Sequence, residues 1–379
     1  MKKRTFNRSN FSSLSKITSV GKIRNQLKNR YLAFTSEKLS SVLVLGAADE
    51  GRRLVRLCKQ NGIKVIGWFD DDPKKTNSKT IFRSKMLRRF DRKIPVLIAS
   101  HRILGATNFL RKLGFKNTAP FALMQILYPK KFIPHMFYKN WIEDLVKHKK
   151  AYKAFFSLLK DSSSKQVLNK LIQFRLTLDP FIIEPVIDKD LYQPQGILSF
   201  RNNEIYVDGG SYDGDSVRLF IRRVKNKYDK ILAFEPDKVI YRKLVQKMND
   251  KGRIECLNQG LFNKNGKVSF STTSDRASLI ESGGTSSINV ASIDSVLNGE
   301  RVSFIKMNIE GAEINALKGA QKSIKQWFPK MAISCYHRPS DLWQIPLLIN
   351  KMSKKYNLYL RQHDGGVIES VCYAIHQNY

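Results

Sequence analysis

The sequence predicts an α/β protein with two doubly wound Rossmann-like domains joined by a helical connector. In two separate stretches, short apolar strands alternate with helical segments, which indicates parallel βαβ units. Between them lies a stretch of helical periodicity that ends in several prolines. The length of 379 residues also exceeds what one small core needs. We therefore expect two α/β domains rather than one.

The chain divides into four predicted segments. They are a basic flexible arm over 1–40, a small Rossmann-like domain over 41–125, a helical connector over 126–200 and a larger α/β domain over 201–379. The arm carries ten Lys and Arg residues against one acid, Glu37, so a loosely docked helix is an alternative to a flexible arm.

The first domain has strand-like segments at 41–46, 64–70 and 95–100. Its turn, Gly46 to Gly51, spaces the glycines more widely than the dinucleotide fingerprint does. Asp49 and Glu50 would also repel a pyrophosphate at the start of the following helix. This domain resembles the small Rossmann-like domain at the front of sugar-modifying acyltransferases. A nucleotide site and a purely structural or oligomerising role both remain open.

The charge of the chain is unusual, because 67 Lys and Arg against 32 Asp and Glu give a net charge of +35. Such an excess is typical of nucleic-acid binding. The basic residues are nevertheless spread along the whole chain, with no basic and aromatic stripe. Nucleic acid is therefore a possible partner that the sequence does not favour.

Location is predicted from what the sequence lacks. No apolar run approaches the ~18 residues of a transmembrane helix, and the basic N-terminus lacks the apolar core of a signal peptide. The four cysteines are scattered and form no metal-binding pair. We expect a cytoplasmic protein with no transmembrane segment, no disulfides and no assigned metal ligand.

The larger domain is predicted to be a doubly wound sheet closed by an antiparallel pair. The predicted strands are 205–208, 231–234, 254–257, 302–308, 331–336, 356–361 and 371–376, and the predicted helices lie near 215–226, 238–248, 312–326 and 341–354. Ligands of such sheets bind at the carboxyl ends of the strands. The polar residues that follow each strand are therefore the candidate site.

The first two strands of this domain end in a cofactor-like pattern. A Gly-rich turn follows the first strand, and a lone carboxylate, Glu235, ends the second strand and precedes Pro236. Glycines let the backbone approach a ligand, and a carboxylate at the second strand hydrogen-bonds a ribose diol. Asp208 suits a sulfonium cation better than a pyrophosphate, so S-adenosylmethionine is favoured over NAD. The candidate cofactor-binding residues are Asp208, Gly209, Gly210, Gly214, Asp215, Glu235 and Pro236.

Two later strands end in groups that suit methyl transfer to a hydroxyl. Asn308 and Glu310 follow one strand and His337 follows the next, and these three are the candidate catalytic residues. An imidazole could take the hydroxyl proton. Alternatively, the three groups could hold Mg²⁺ or Mn²⁺, which lowers the pKa of the hydroxyl. Glu310 as a helix cap and His337 as a loop hydrogen-bonding residue are the structural alternatives.

These motifs together resemble the FkbM-type methyltransferase family over roughly residues 140–379. The resemblance rests on Val-Asp-Gly-Gly-x-x-x-Gly-Asp, Phe-Glu-Pro, Ile-Lys-Met-Asn-Ile-Glu-Gly-Ala-Glu and Tyr-His-Arg-Pro-Ser-Asp-Leu-Trp. It implies a class I S-adenosylmethionine-dependent fold and O-methylation of saccharides, glycan precursors or secondary metabolites. It also implies cofactor roles for Asp208, the three glycines and Glu235, and it places Glu310 in the Glu-Gly-Ala-Glu motif. Asn308 departs from the family, which usually has Asp there.

The sequence therefore predicts an O-methyltransferase with a small-molecule or glycan acceptor. Two alternatives remain open. The charge of +35 suggests a nucleic-acid methyltransferase, although no Asn-Pro-Pro-Tyr-type motif is present. The loss of a carboxylate at Asn308 suggests an inactive binding protein that keeps the cofactor fold.

Overall fold

The computed structural model describes residues 11–35, 38–76, 80–248, 252–272, 278–280 and 286–377, without the side chains of 270–272, 278–280 and 286. The chain forms two compact units. The first contains residues 1–153, 165–187 and 364–368, and the second contains 154–164, 188–363 and 369–379. Where the sequence predicted one connector over 126–200, the chain thus crosses between the units several times, because helical segments of that stretch pack into both.

The first unit contains a four-stranded parallel sheet in the order β2-β1-β3-β4. Its strands are β1 (Ser41–Leu45), β2 (Lys64–Phe69), β3 (Val96–Ile98) and β4 (Thr118–Pro120). Val42, Leu43 and Val44 are fully buried, as expected for a parallel sheet covered on both faces. The predicted alternation of parallel strands and helices is therefore observed, while a nucleotide-binding role for this unit stays a prediction.

The helices of the first unit are α1 (Ser12–Ser15), α2 (Val20–Arg30), α3 (Asp49–Gln60), α4 (Ile103–Lys112), α5 (Phe121–Leu127) and α6 (Trp141–Lys147). Ser19 caps α2 by accepting a hydrogen bond from the Lys22 N–H, and Ile23 and Leu27 on this helix are buried. The described part of the predicted arm thus includes a docked helix, and residues 1–10 and 36–37 lie outside the described residues.

Two helices continue from one unit into the other along the chain: α7 (Lys149–Leu158) and α8 (Ser162–Thr177). Short 3₁₀ helices occur at Leu32–Phe34, Ser84–Arg89, Met136–Tyr138, Pro180–Ile182 and Glu184–Val186.

The second unit contains a seven-stranded sheet in the order β14-β15-β13-β12-β5-β6-β7. Its strands are β5 (Ile205–Gly209), β6 (Lys230–Phe234), β7 (Ile254–Leu257), β12 (Phe304–Met307), β13 (Lys330–Ser334), β14 (Tyr356–Gln362) and β15 (Ser370–His376). All neighbours are parallel except the pairs that include β15. The predicted doubly wound sheet with a C-terminal antiparallel pair is confirmed.

A second, four-stranded sheet in the order β10-β9-β11-β8 is inserted between β7 and β12 along the chain. Its strands are β8 (Gly260–Leu261), β9 (Gly266–Thr272), β10 (Ser278–Ile280) and β11 (Ser286–Ala291).

The helices of the second unit are α9 (Asp215–Arg223), α10 (Lys238–Lys247), α11 (Ile293–Leu297), α12 (Glu313–Lys318), α13 (Gln321–Trp327) and α14 (Asp341–Met352). The side chains of Tyr206 and Phe304 on the sheet stack with ring centroids 4.8 Å apart. Phe220 of α9 packs on Tyr206 at 4.6 Å. This aromatic core fixes α9, and therefore the turn before it, against the first strand of the sheet.

The single helix predicted over 312–326 is wrong, because α12 ends before Gly319 and α13 begins after it. The carbonyl of Gly319 accepts a hydrogen bond from the Asp294 N–H at 2.9 Å, and the Asp294 carboxylate accepts the Ser323 N–H at 2.8 Å. In a continuous helix the Ser323 N–H would donate to the Gly319 carbonyl. Here both groups bond to Asp294 instead.

Within the described residues, no helix combines the length and apolarity required to cross a membrane.

Candidate active site

The candidate residues lie where four neighbouring parallel strands end. The Gly-rich turn follows β5, Glu235 follows β6, Asn308 follows β12 and His337 follows β13 shortly afterwards. Since the carboxyl ends of parallel strands lie along the same edge of a sheet, these groups share one edge. The structure therefore brings the predicted residues to one side of the seven-stranded sheet.

The glycines of the turn are required by its backbone. Gly210 has φ +72°, and a Cβ there would lie 2.0 Å from the Asn308 carbonyl oxygen. Gly214 has φ +87° and precedes α9, and a Cβ there would lie 2.6 Å from Met248 Cε. Gly209 is also enclosed, with Leu261 Cδ1 2.7 Å from the position of a Cβ. The turn therefore lies in direct contact with the segment that follows β12.

Backbone hydrogen bonds fasten the same turn to the end of β6. The N–H groups of Gly210 and Ser211 both donate to the Phe234 carbonyl, at 3.1 and 3.0 Å. The Tyr212 N–H donates to Glu235 Oε2 at 3.0 Å. The turn and the second-strand carboxylate thus form one connected element.

Glu235 is nearly buried, with 7% of its surface exposed. Its Oε1 accepts the Asp237 N–H at 2.9 Å, and Asn258 donates to the carbonyls of Glu235 and Pro236 at 3.0 and 3.1 Å. Burial raises the pKa of Glu235 to about 7, although its two backbone hydrogen bonds oppose the shift. Each carboxylate oxygen accepts one backbone hydrogen bond and keeps acceptor capacity for another donor.

Asp208 is fully buried and its charge is compensated. The Lys306 ammonium lies 2.9 Å from Asp208 Oδ1, and Ser216 donates a hydrogen bond to Oδ2 at 2.6 Å. Lys306 also donates to the carbonyls of Gly209 and Gly210, at 3.1 and 2.9 Å. The Asp208 carboxylate is thus paired with the Lys306 ammonium, and its role toward a sulfonium cation stays a prediction.

Asp215 occupies a different position from the other candidate cofactor residues. It is exposed and is the first residue of α9, where a negative charge is favourable. Its cofactor role stays a prediction.

Asn308 and Glu310 lie in the segment between β12 and α12. Asn308 Oδ1 accepts a hydrogen bond from the Tyr336 hydroxyl at 3.0 Å. Glu310 has φ +53°, a left-handed conformation that is strained for a side chain of this size. Its side chain is 26% exposed and burial raises its pKa to about 7. The segment therefore places a partly exposed carboxylate beside the turn.

His337 has no exposed surface and lies between two carboxylates. Its Nδ1 is 3.0 Å from Glu313 Oε1, and its Nε2 is 3.6 Å from Glu310 Oε2. Burial alone would lower its pKa, but the charges of Glu313 and Glu310 raise it to about 9. Asp341, also buried, accepts the Arg338 N–H at 2.8 Å.

Lys306 and Glu313 are the site residues that sequence reasoning did not single out. Lys306 has a signal in the sequence, since it is the one charged residue inside the apolar strand Phe304–Met307. Glu313 belongs to the Glu-Gly-Ala-Glu motif, but nothing in the sequence was a reason to pair it with His337, which lies 24 positions away.

The segment that carries these residues was compared with known protein families. Residues 208–364 match the family described as the methyltransferase FkbM domain, which covers the turn, Glu235, Asn308, Glu310 and His337. Comparison with curated proteins found no match.

Among solved structures, the chain is similar to the methyltransferase FkbM from Methylobacillus flagellatus KT. The TM-score is 0.74 at 22% identity, and the match covers 96% of this chain and 100% of that one. At this identity the similarity demonstrates a shared fold.

Two weaker matches are an rRNA methylase from Streptococcus thermophilus and Aeropyrum pernix fibrillarin with natively bound S-adenosyl-L-methionine. Their TM-scores are 0.31 and 0.32, at 14% and 11% identity. They cover 53% and 48% of this chain, and 95% and 71% of their own. Similarities this low support no conclusion about this chain.

Residues 208–364 thus match a methyltransferase domain of the FkbM type, and the chain shares the fold of a solved FkbM methyltransferase.

Proposed function

We propose that this protein uses S-adenosylmethionine to methylate a hydroxyl group of a saccharide, a glycan precursor or a related small metabolite. The observation that carries the proposal is the shared sheet edge, where a glycine turn, a second-strand carboxylate and a partly exposed carboxylate, Glu310, lie together.

The turn and Glu235 fit the nucleoside part of this cofactor. Glu235 retains acceptor capacity on both oxygens, which suits the two hydroxyls of a ribose. When bound, S-adenosylmethionine supplies a methyl group on a sulfonium, which the acceptor oxygen takes as S-adenosylhomocysteine is released. Lys306 acts indirectly, because it holds the carbonyls of the turn in place, and Asp208 pairs with Lys306.

Glu310 is the residue that we assign to the acceptor proton. It is 26% exposed, whereas the side chain of His337 is completely buried and cannot touch an acceptor. The carboxylate of Glu310 would accept the hydroxyl proton as the oxygen attacks, while His337 Nε2 orients Glu310 from behind. Asn308, held by Tyr336, would position the same segment.

The saccharide acceptor is supported by the resemblance to the FkbM-type family. The distribution of charge is consistent with it, because the excess of basic residues is spread along the chain rather than collected in one stripe.

A two-stage experiment on the full-length protein tests the proposal. Calorimetric titration with S-adenosylhomocysteine should show binding at one site. Transfer of labelled methyl from S-adenosylmethionine should then be measured with a panel of saccharides, and with RNA and DNA as competing acceptors. We expect labelled saccharides. Binding without transfer to any acceptor would support an inactive binding protein, and labelling of nucleic acid alone would replace the saccharide proposal.

A further inference from the structure

Glu313, His337 and Asp341 form a buried cluster of groups that are able to ligate a metal ion. Each residue offers one ligand atom, and the three atoms lie within 4.8 Å of one another. All three side chains are buried, with at most 1% of their surface exposed. The residues come from α12, from the loop after β13 and from the start of α14.

Two carboxylate oxygens in this cluster have unmet bonding capacity. Glu313 Oε2 and Asp341 Oδ1 are buried and have no hydrogen-bond partner among the described residues. A buried polar atom without a partner is costly, and a buried carboxylate oxygen more so. The other oxygens of the same carboxylates are already used, since they accept the N–H groups of Ile309 and Arg338.

The cluster also holds more carboxyl groups than basic groups. Glu310, Glu313 and Asp341 bring three carboxylates around one imidazole. The guanidinium of the nearby Arg338 is directed to the Gly311 carbonyl. A divalent cation would satisfy both unpartnered carboxylate oxygens.

We propose that Glu313, His337 and Asp341 bind a divalent metal ion. Two carboxylates and one imidazole are a mixed oxygen and nitrogen set that suits a transition-metal ion such as Mn²⁺. The Nδ1 edge of His337 faces Glu313, so the ion belongs on that side. His337 Nε2 then keeps its proton and donates it toward Glu310, as metal-bound histidines commonly do to a carboxylate. The ion would thereby orient Glu310 without touching the acceptor.

The test measures the metal directly and so is independent of methyl transfer. Full-length protein, stripped with chelator and dialysed, is titrated with Mn²⁺ by calorimetry, and bound Mn²⁺ is followed by electron paramagnetic resonance. We expect one ion per chain and a melting temperature that rises with Mn²⁺. The net charge of +35 disfavours adventitious cation binding at the surface.

The variants Glu313→Gln and Asp341→Asn should each weaken Mn²⁺ at least tenfold. Glu204→Gln is the matched control, because Glu204 is equally buried in the same unit but is paired with Lys330. Circular dichroism establishes that each variant is folded.

Unaltered Mn²⁺ binding in folded Glu313→Gln and Asp341→Asn would overturn the site. So would a wild-type protein that binds no Mn²⁺. Binding of Mn²⁺ without binding of S-adenosylhomocysteine would leave the metal site standing and remove the proposed methyl transfer.

Discussion

Lys306 Nζ lies 2.9 Å from Asp208 Oδ1, and both side chains are almost completely buried within neighbouring strands of one sheet. The same ammonium donates to the carbonyls of Gly209 and Gly210. One lysine therefore neutralises the strand-end carboxylate and holds the glycine turn. Through this ion pair Asp208 is linked to the lysine that holds the turn, while its predicted contact with a cofactor stays a prediction.

Replacing Lys306 by Gln should both destabilise the protein and weaken the cofactor site. Removing one partner of a buried ion pair costs about 3–5 kcal/mol of unfolding free energy, because the other charge is left uncompensated. Lys330→Gln is the matched control, since Lys330 is equally buried and pairs with Glu204 at the start of the strands. Denaturant unfolding should show a loss of stability in both variants. Calorimetry should show weaker binding of S-adenosylhomocysteine only in Lys306→Gln. Equal cofactor affinity in the two variants would contradict this role.

Gly210→Ala should be more harmful than Gly196→Ala, although the two glycines have φ +72° and +75°. Left-handed backbone costs an alanine about 1–2 kcal/mol at either position. Only at Gly210 does the new Cβ also meet the Asn308 carbonyl, at 2.0 Å, whereas nothing lies within 4 Å at Gly196. We expect Gly210→Ala alone to lose binding of S-adenosylhomocysteine, measured by calorimetry. Similar binding in both variants would show that the close approach is unimportant.

Glu235→Gln should weaken S-adenosylmethionine tenfold or more. A hydrogen bond to a charged group is worth about 1.5–3 kcal/mol, and about 1.4 kcal/mol is tenfold in affinity. Glu235 accepts one backbone N–H group on each carboxylate oxygen. The single oxygen of a Gln amide can keep one of these two hydrogen bonds, so Gln perturbs the fold less than Ala would. The control is Asp237→Asn, because Asn keeps a side-chain oxygen that can cap the helix as Asp237 does. Wild-type affinity in folded Glu235→Gln would remove the ribose assignment.

Cofactor affinity should rise with pH through neutrality. Burial raises the pKa of Glu235 from 4.5 to about 7, and the ionised form is the better acceptor for ribose hydroxyls. Calorimetry from pH 6 to 8 should show this rise in the wild type and a flat profile in Glu235→Gln.

The effect of Glu235 on protein stability has the opposite pH dependence from its effect on cofactor affinity. Because the folded protein holds the proton more tightly, the contribution of Glu235 to stability is present below pH 4.5 and is lost as pH rises to about 7. The free energy of unfolding, measured with denaturant between pH 4.5 and about 7, should fall less steeply with pH in Glu235→Gln than in the wild type.

Glu310→Gln should bind S-adenosylhomocysteine normally yet lower turnover by ~10²–10⁴-fold, as expected when a general base is lost. His337→Gln should also lower turnover while sparing cofactor binding, because it removes the group that orients Glu310. The control is Glu300→Gln, since Glu300 is 61% exposed and forms only a surface ion pair with Lys230. Full activity in Glu310→Gln would show that positioning alone drives the transfer.

Much of the second unit follows from local sequence. Alternating apolar strands and helices predicted the order of its elements, and strands such as Ile254–Leu257 lie where expected. Because parallel strands end at a common edge, the motifs after each strand were bound to meet there. Glycine spacing likewise indicated the turn at Gly209 to Gly214, since Gly210 and Gly214 adopt the left-handed φ of +72° and +87° that favours glycine. These features follow from the alternation of strands and helices and from residue types along the chain, which a sequence pattern encodes directly.

Other features depended on partners far away in the chain. Asp294 divides the helix predicted over 312–326, and Lys306 cancels the charge of Asp208 from 98 positions away. Glu313 and Asp341 enclose His337 and leave two oxygens unpartnered, which no spacing rule indicated. The residues alone were enough to predict the order of the strands along the chain and the groups that end them. The pairing of the charges emerged only with the folded sheet, because pairing and burial are set by neighbours across the sheet rather than along the chain.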